Sequence, residues 1–108
     1  MKIMNIEELA GRVPKNHYDL IGRTILDSKG TRVGFTRMEK TGRCDPHVHD
    51  DAEQLFIVLK GEMMFKSVEG EARVKQGHAV LFYPGEVHSN YNVADGETEY
   101  LTVTVVAP

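Results

Sequence analysis

His47 and His49 stand two residues apart within Gly42–Gly61, GRCDPHVHDDAEQLFIVLKG. Side chains alternate along an extended strand, so both imidazoles leave the same face. The acidic turn Asp50-Asp51-Ala52 reverses the chain, and Glu53-Gln54 opens a strongly β-forming run that ends at Gly61. Two imidazoles at i and i+2 facing an oxygen ligand on the paired strand make three corners of a coordination sphere. His88, just beyond the Pro84-Gly85 turn, can supply the fourth. Imidazole is a borderline ligand suited to Fe, Zn, Ni, Mn or Cu as divalent ions. The constellation predicts one such transition-metal ion per chain. It would polarise a carbonyl or enediol, or bind dioxygen together with a chelating substrate.

These stretches resemble the two motifs of the cupin superfamily. The first motif, G-x5-H-x-H-x3-4-E-x6-G, is matched by His47, His49 and Gly61, with Gly42 one residue closer than usual. The second, G-x5-P-x-G-x2-H-x3-N, is matched by Gly77, Gly85, His88 and Asn92, while Tyr83 takes the proline slot and Pro84 follows it. Gly61 and Gly77 leave room between them for little beyond one hairpin. The resemblance spans about Arg32 to Val106 and implies a double-stranded β-helix, or jelly-roll barrel.

The family's metal-binding glutamate falls on Gln54 when counted back from Gly61, and on Glu53 when counted forward from His49. Neighbouring strand residues face opposite sides, so only one of the two points at the ion. Register from the closing glycine favours Gln54. The resemblance then implies a metal site of His47, His49, Gln54 and His88, with the neutral amide as a weak fourth ligand or a group behind the histidines.

The elements that must position these residues read as short strands separated by Gly- and Asp-rich turns, an all-β chain. Residues 1–17 are expected to form an N-terminal arm with a short helical turn, in which Asn5 and Glu8 cap and Gly11 stops. Residues 18–108 are expected to form the cupin-like barrel. Within it Tyr18–Leu26 and Thr31–Lys40 read as strands around the turn Asp27–Gly30. Val33, Phe35 and Arg37 are expected on the inner face, opposite Arg32, Gly34, Thr36 and Met38; Arg37 is then either solvated or a clamp for a substrate carboxylate. Glu62–Val68 and Glu71–Lys75 flank the hairpin signal Glu69-Gly70. Ala79–Tyr83 and Thr98–Val106 complete the set.

Around the site, Cys44 reads as a small buried hydrophobe or a site-lining thiol. His17 and His78 are expected to face solvent, with a place at the substrate entrance the alternative for His17, and Asp50 and Asp51 are expected to be solvated. Asn90 shares a strand face with His88 and is expected to meet a ligand, with Tyr83 a further candidate at the wall. Asn92, by the resemblance, holds strand geometry rather than metal.

With 108 residues the chain is one domain, and 27% charged residues is ordinary for a globular protein. A net charge of -3, with lysines and arginines scattered among acids, argues against nucleic acid or an anionic membrane as partner. The N-terminus has no signal-peptide pattern, and the single cysteine makes a reducing cytoplasmic setting the expectation. Unpaired edges on so small a barrel predict a homodimer, with Tyr18–Leu26 covering a partner's edge.

The leading expectation for function is a metal-dependent, oxygenase-like enzyme of a small organic acid, diketone or phenolic compound. The alternatives are a non-catalytic binding protein for a sugar or organic acid, and a metal-dependent isomerase or decarboxylase. Glu53 turned inward would favour enolisation. Gln54 inward, beside Phe56, Val58 and Phe82 or Tyr83, would favour dioxygen chemistry or passive binding.

Overall fold

Alternating strand patterns punctuated by turn residues fold into nine strands in a computed structural model that describes residues 1–107. They are β1 (Gly11–Arg12), β2 (His17–Ser28), β3 (Thr31–His47), β4 (Ala52–Lys60), β5 (Glu62–Ser67), β6 (Gly70–Lys75), β7 (Ala79–Phe82), β8 (His88–Asn92) and β9 (Thr98–Val106). The last residue of the expected barrel segment, Pro108, lies outside the described residues. Ahead of β1 a single 3-10 turn spans Ile6–Glu8, capped by the Asn5 side chain, which accepts from the Glu7 N–H. It ends at Leu9, before the Gly11 expected to stop it.

All strand pairs are antiparallel, in the order β6-β5-β8-β3-β9-β4-β7, with β2 also on β3 and β1 on β2. The result is a nearly closed all-β jelly roll. Strand β3 is longer than Thr31–Lys40 because it serves two sheets. Residues 31–38 pair with β9, and residues 43–47 pair with β8. The chain passes between the sheets at Gly42, where a Cβ would lie 2.6 Å from Met38 Cγ and 3.0 Å from the carbonyl oxygens of Asp19 and Glu39. Gly61 is equally constrained: its φ is +88°, and a Cβ there would sit 2.2 Å from Thr98 Oγ1.

Cross-strand register stacks the inner side chains in rows. One row runs Gly22, Thr36, Tyr100, Val58; the next Thr24, Gly34, Thr102, Phe56; the third Asp27, Arg32, Thr104, Gln54, Phe82. The β4 end of these rows joins Leu20, Met38, Met63, Phe65 and Val74 in the apolar core, with Phe56 and Phe65 rings 5.0 Å apart. Truncating Phe56 there to Ala would cost about 3–5 kcal/mol.

The faces of β3 are opposite to the sequence expectation. Gly34 and Thr36 face the barrel interior and Met38 its core, while Val33, Phe35 and Arg37 face outward. Arg37 clamps no barrel ligand. Its guanidinium donates to Glu99 at 2.7 Å and 2.9 Å and to Glu7 at 2.5 Å and 3.1 Å, tying the arm to the sheet's outer side. Phe35 is buried on that outer side, which is why apolar character did not mark the inner face.

Candidate metal centre

Three strand ends converge at one end of the barrel. His47 closes β3 and pairs in register with His88, the first residue of β8. His49 lies in the connection to β4, where its carbonyl accepts from the Gly85 N–H at 2.9 Å. That bond fastens the Pro84-Gly85 turn, whose φ of +84° at Gly85 suits glycine. The ring centroids of His47 and His88 are 4.3 Å apart, and those of His47 and His49 5.1 Å. One ring nitrogen from each of the three lies within 4.8 Å of the others.

The proton on two of the rings is placed by backbone. His47 Nδ1–H donates to the Asp45 carbonyl at 3.1 Å, and His88 Nδ1–H donates to the Glu86 carbonyl at 2.9 Å. Each neutral ring therefore carries a bare lone pair on Nε2, the form that binds metal. His88 Nε2 faces Gln54 Oε1 at 2.8 Å, while Gln54 Nε2 donates to Thr104 Oγ1 at 3.1 Å. His49 Nε2 is buried with no hydrogen-bond partner. Two acceptors facing one another and an orphaned buried ring nitrogen are the polar arrangement a cation completes. The residues fit a divalent transition metal.

Burial tunes the same rings. It pushes His88 down to about 4, opposed by the bond to the Glu86 carbonyl and reinforced by His47 and His49. Burial also lowers His49, again with a contribution from His47. The Phe82 ring stacks on His88 at 4.2 Å and 9°, which supplies much of that apolar surrounding. Cys44 is buried, and burial raises its thiol to about 12. Its Sγ lies 3.3 Å from His47 Nδ1, so it packs behind the ligand ring as a thiol.

Gln54 is the inward member of the Glu53–Gln54 pair: it is 8% exposed, whereas Glu53 is exposed to solvent. Asp50, Asp51, His78 and Tyr83 are exposed as well, and Phe82 rather than Tyr83 is the buried member, packed in the core behind His88 and not on the cavity wall. Asn92 uses its whole amide internally. It donates to the Glu39 and Gly96 carbonyls and accepts from the Ala94 N–H and the Thr98 hydroxyl. His17 departs from the solvent-facing expectation and accords with its alternative at the cavity. It is half-buried, its Nδ1–H donates to the Lys15 carbonyl at 2.9 Å, and its ring centroid is 6.1 Å from that of His47. No local signal marked His17 or Thr104, which reach the site from distant strands.

His47 and His49 open on a cavity of about 530 Å³, lined among others by His17, Gln54, Asn90, Thr102 and Thr104. Among the described residues no helix is long and apolar enough to cross a membrane.

Residues 34–104 match the family model of the cupin domain. The uncharacterised protein YdbB of Bacillus subtilis is 31% identical over 88 residues, 81% of this chain and 74% of its own. The crystal structure of a predicted oxalate decarboxylase from Thermotoga maritima superposes with a TM-score of 0.87 at 18% identity, covering 97% of this chain and 99% of that one. A sugar phosphate isomerase from Silicibacter pomeroyi superposes with a TM-score of 0.85 at 16% identity, covering 99% and 77%.

Proposed function

This chain belongs to the cupin domain family, and on that premise we propose that it is a metal-dependent enzyme that decarboxylates or isomerises a small oxygen-rich acid. The observation that carries this reading is the set of ring nitrogens of His47, His49 and His88, with the Gln54 amide oxygen, beside a cavity that His47, His49 and Gln54 line. A divalent ion held there would supply Lewis acidity toward a carbonyl or carboxylate oxygen. All four donors are neutral, so none of them offsets the ion's charge.

At the inward position of β4 the chain carries Gln54 rather than a carboxylate, while Glu53 points to solvent and the acidic residue along the cavity beside His49 is the exposed Asp51. A carboxylate at the ligand position acting as base is therefore not part of this reading, and decarboxylation needs no base. The bond between carbon and the departing carboxylate breaks, its electron pair moves onto a carbonyl oxygen one carbon away as an enolate, and carbon dioxide leaves. A proton then returns to the carbon. His17 lines the cavity with its Nδ1–H committed to the Lys15 carbonyl, so its Nε2 offers a lone pair and the returning proton comes from solvent. The decarboxylase and isomerase activities named for the two fold neighbours support redox-neutral chemistry over the oxygenase reading.

The test is turnover by protein reconstituted with Mn, Fe, Co, Ni or Zn. A panel of oxo and hydroxy acids is followed by NMR with parallel measurement of carbon dioxide and dioxygen. Metal-dependent product without dioxygen uptake, lost in His88→Ala, is the expected result. Dioxygen uptake coupled to product would restore the oxygenase, and tight binding with every acid returned unchanged would make the chain a binding module.

A further inference from the structure

We infer that the cavity takes a hydroxylated carboxylate of about five or six carbons, its anionic end held by Arg32 at the opposite side of the inner sheet from Gln54. The inference rests on the isomerising arm of the reading above, in which the carboxylate stays intact at Arg32 while the other end of the chain meets the metal, and it adds the substrate class and the anchoring residue.

Arg32, Thr104 and Gln54 form one in-register row on the inner face of β3, β9 and β4. Neighbouring strands lie about 4.8 Å apart, so the backbones of Arg32 and Gln54 are about 10 Å from each other. A substrate chelated at the histidines can thus lie along this row with its far end at the guanidinium. Thr104 stands between, already tied to Gln54 by its hydroxyl. The present partner of Arg32 is Asp27 at 3.3 Å, in a pair whose side chains are 55% and 61% exposed. Such an exposed pair contributes little, and a guanidinium can exchange it for a bidentate substrate carboxylate.

The floor beneath that row is polar and shallow in side chains. Thr24, Gly34 and Thr102 make the next row, and Gly22 and Thr36 the one after. A Cβ at Gly34 would meet only the Arg23 carbonyl oxygen at 3.6 Å, and one at Gly22 would meet nothing closer than Thr36 Oγ1 at 3.6 Å. The fold therefore tolerates side chains at both positions, and they would project into the cavity. Glycines there give depth, and threonine hydroxyls there match a hydroxylated chain better than an apolar one.

Asn90 supplies an independent sign of a polar ligand. It lines the cavity, is 3% exposed, and its Oδ1 is buried without a partner. A buried acceptor left unpaired is destabilising, and a substrate hydroxyl would complete it after a small rotation of the amide. Charge points the same way. In a chain of net charge -3, exposed Arg12, Lys15 and Arg32 outnumber Asp27 and Asp51 along the lining.

The test titrates metal-loaded protein with aldonates of five and six carbons, their 2-oxo derivatives, uncharged glucitol and unhydroxylated hexanoate, after metal content has been measured by elemental analysis. At least one aldonate or oxo-aldonate should bind about tenfold or more tightly than glucitol and hexanoate. Arg32→Gln should erase the advantage over glucitol. Gly34→Val should weaken the acid about tenfold or more, with metal content unchanged in both variants. Glucitol or hexanoate binding as tightly as every acid, or acid binding indifferent to both variants, would overturn the substrate class while leaving the metal reading standing. A protein that takes up no metal would overturn both.

Discussion

Gln54 Oε1 and His88 Nε2 face each other at 2.8 Å with no proton between them, because the His88 proton is committed to the Glu86 carbonyl. The amide is held in this orientation by the bond from its Nε2 to Thr104. Half a turn of the amide would let its NH2 donate to His88 and its oxygen accept from the Thr104 hydroxyl instead. The amide orientation is thus coupled to whether a cation shares the two lone pairs.

Gln54→Glu should tighten divalent metal binding by about tenfold or more, since a carboxylate replaces a neutral amide oxygen at the same inward position. Glu53→Gln should leave affinity unchanged, because Glu53 is solvent-exposed. Competition titrations with a chromophoric chelator on both variants check this pair. The reverse order would show that β4 shifts its register in solution.

Removing ligands should abolish the stabilisation that metal gives. Wild-type protein with free metal at about a hundredfold its Kd gains about 2.7 kcal/mol over the chelated form. His47→Ala combined with His49→Ala should show the same melting temperature with and without metal. The double variant should still fold, since neither residue belongs to the apolar core.

The metal-free protein should lose stability as pH falls from about 6.5 toward about 4, by the depressed values of His88, His49 and His17. In that window the unfolded chain takes up protons that the buried His88 ring refuses, so the unfolded state gains. The loss is complete below the folded value. Urea midpoints in chelator at pH 7.0, 5.5 and 4.5, compared between wild type and His88→Gln, check it: the variant should show the shallower decline.

Asn92→Ala should destabilise the fold by about 2–4 kcal/mol, since four hydrogen bonds are lost and the wholly buried Thr98 hydroxyl keeps only its longer contacts with the Glu62 backbone. Metal stoichiometry should not change. Equilibrium denaturation with elemental analysis separates the two effects.

The outer face of the sheet predicts a dimer. Phe35, Leu101 and Ile57 form one row and Val33, Val103, Leu55 and Leu81 the next, with Leu81 and Val105 at least 40% exposed. A contiguous apolar sheet face of this kind is covered in stable assemblies, and a second copy of the same face gives a closed two-fold contact. Strand β2 pairs along one edge with β3 of its own chain and at Gly22 and Arg23 with β1, and the apolar face adds a face-to-face contact to the expected edge contact. Light scattering should give twice the 12.1 kDa chain mass, falling to one chain in Val103→Arg.

Much of the fold and the metal trio was legible in the sequence because the signals are local. A two-residue spacing places His47 and His49 together on any extended strand, and glycines such as Gly61 stand where the backbone needs a positive φ. The same local rule separated Gln54 from Glu53 once a closing glycine marked the register. Alternation also grouped Val33, Phe35 and Arg37 correctly as one face, yet it could not say which face looks inward. Period two is symmetric between the sides of a sheet, and here apolar residues cover the outer side while glycine and threonine floor the cavity. That choice was made only by the packing of β3 against β9 and β4. Tertiary structure likewise brought Thr104 to Gln54, His17 beside His47, and Arg32 into line with the metal site, through strand pairings that no local pattern encodes.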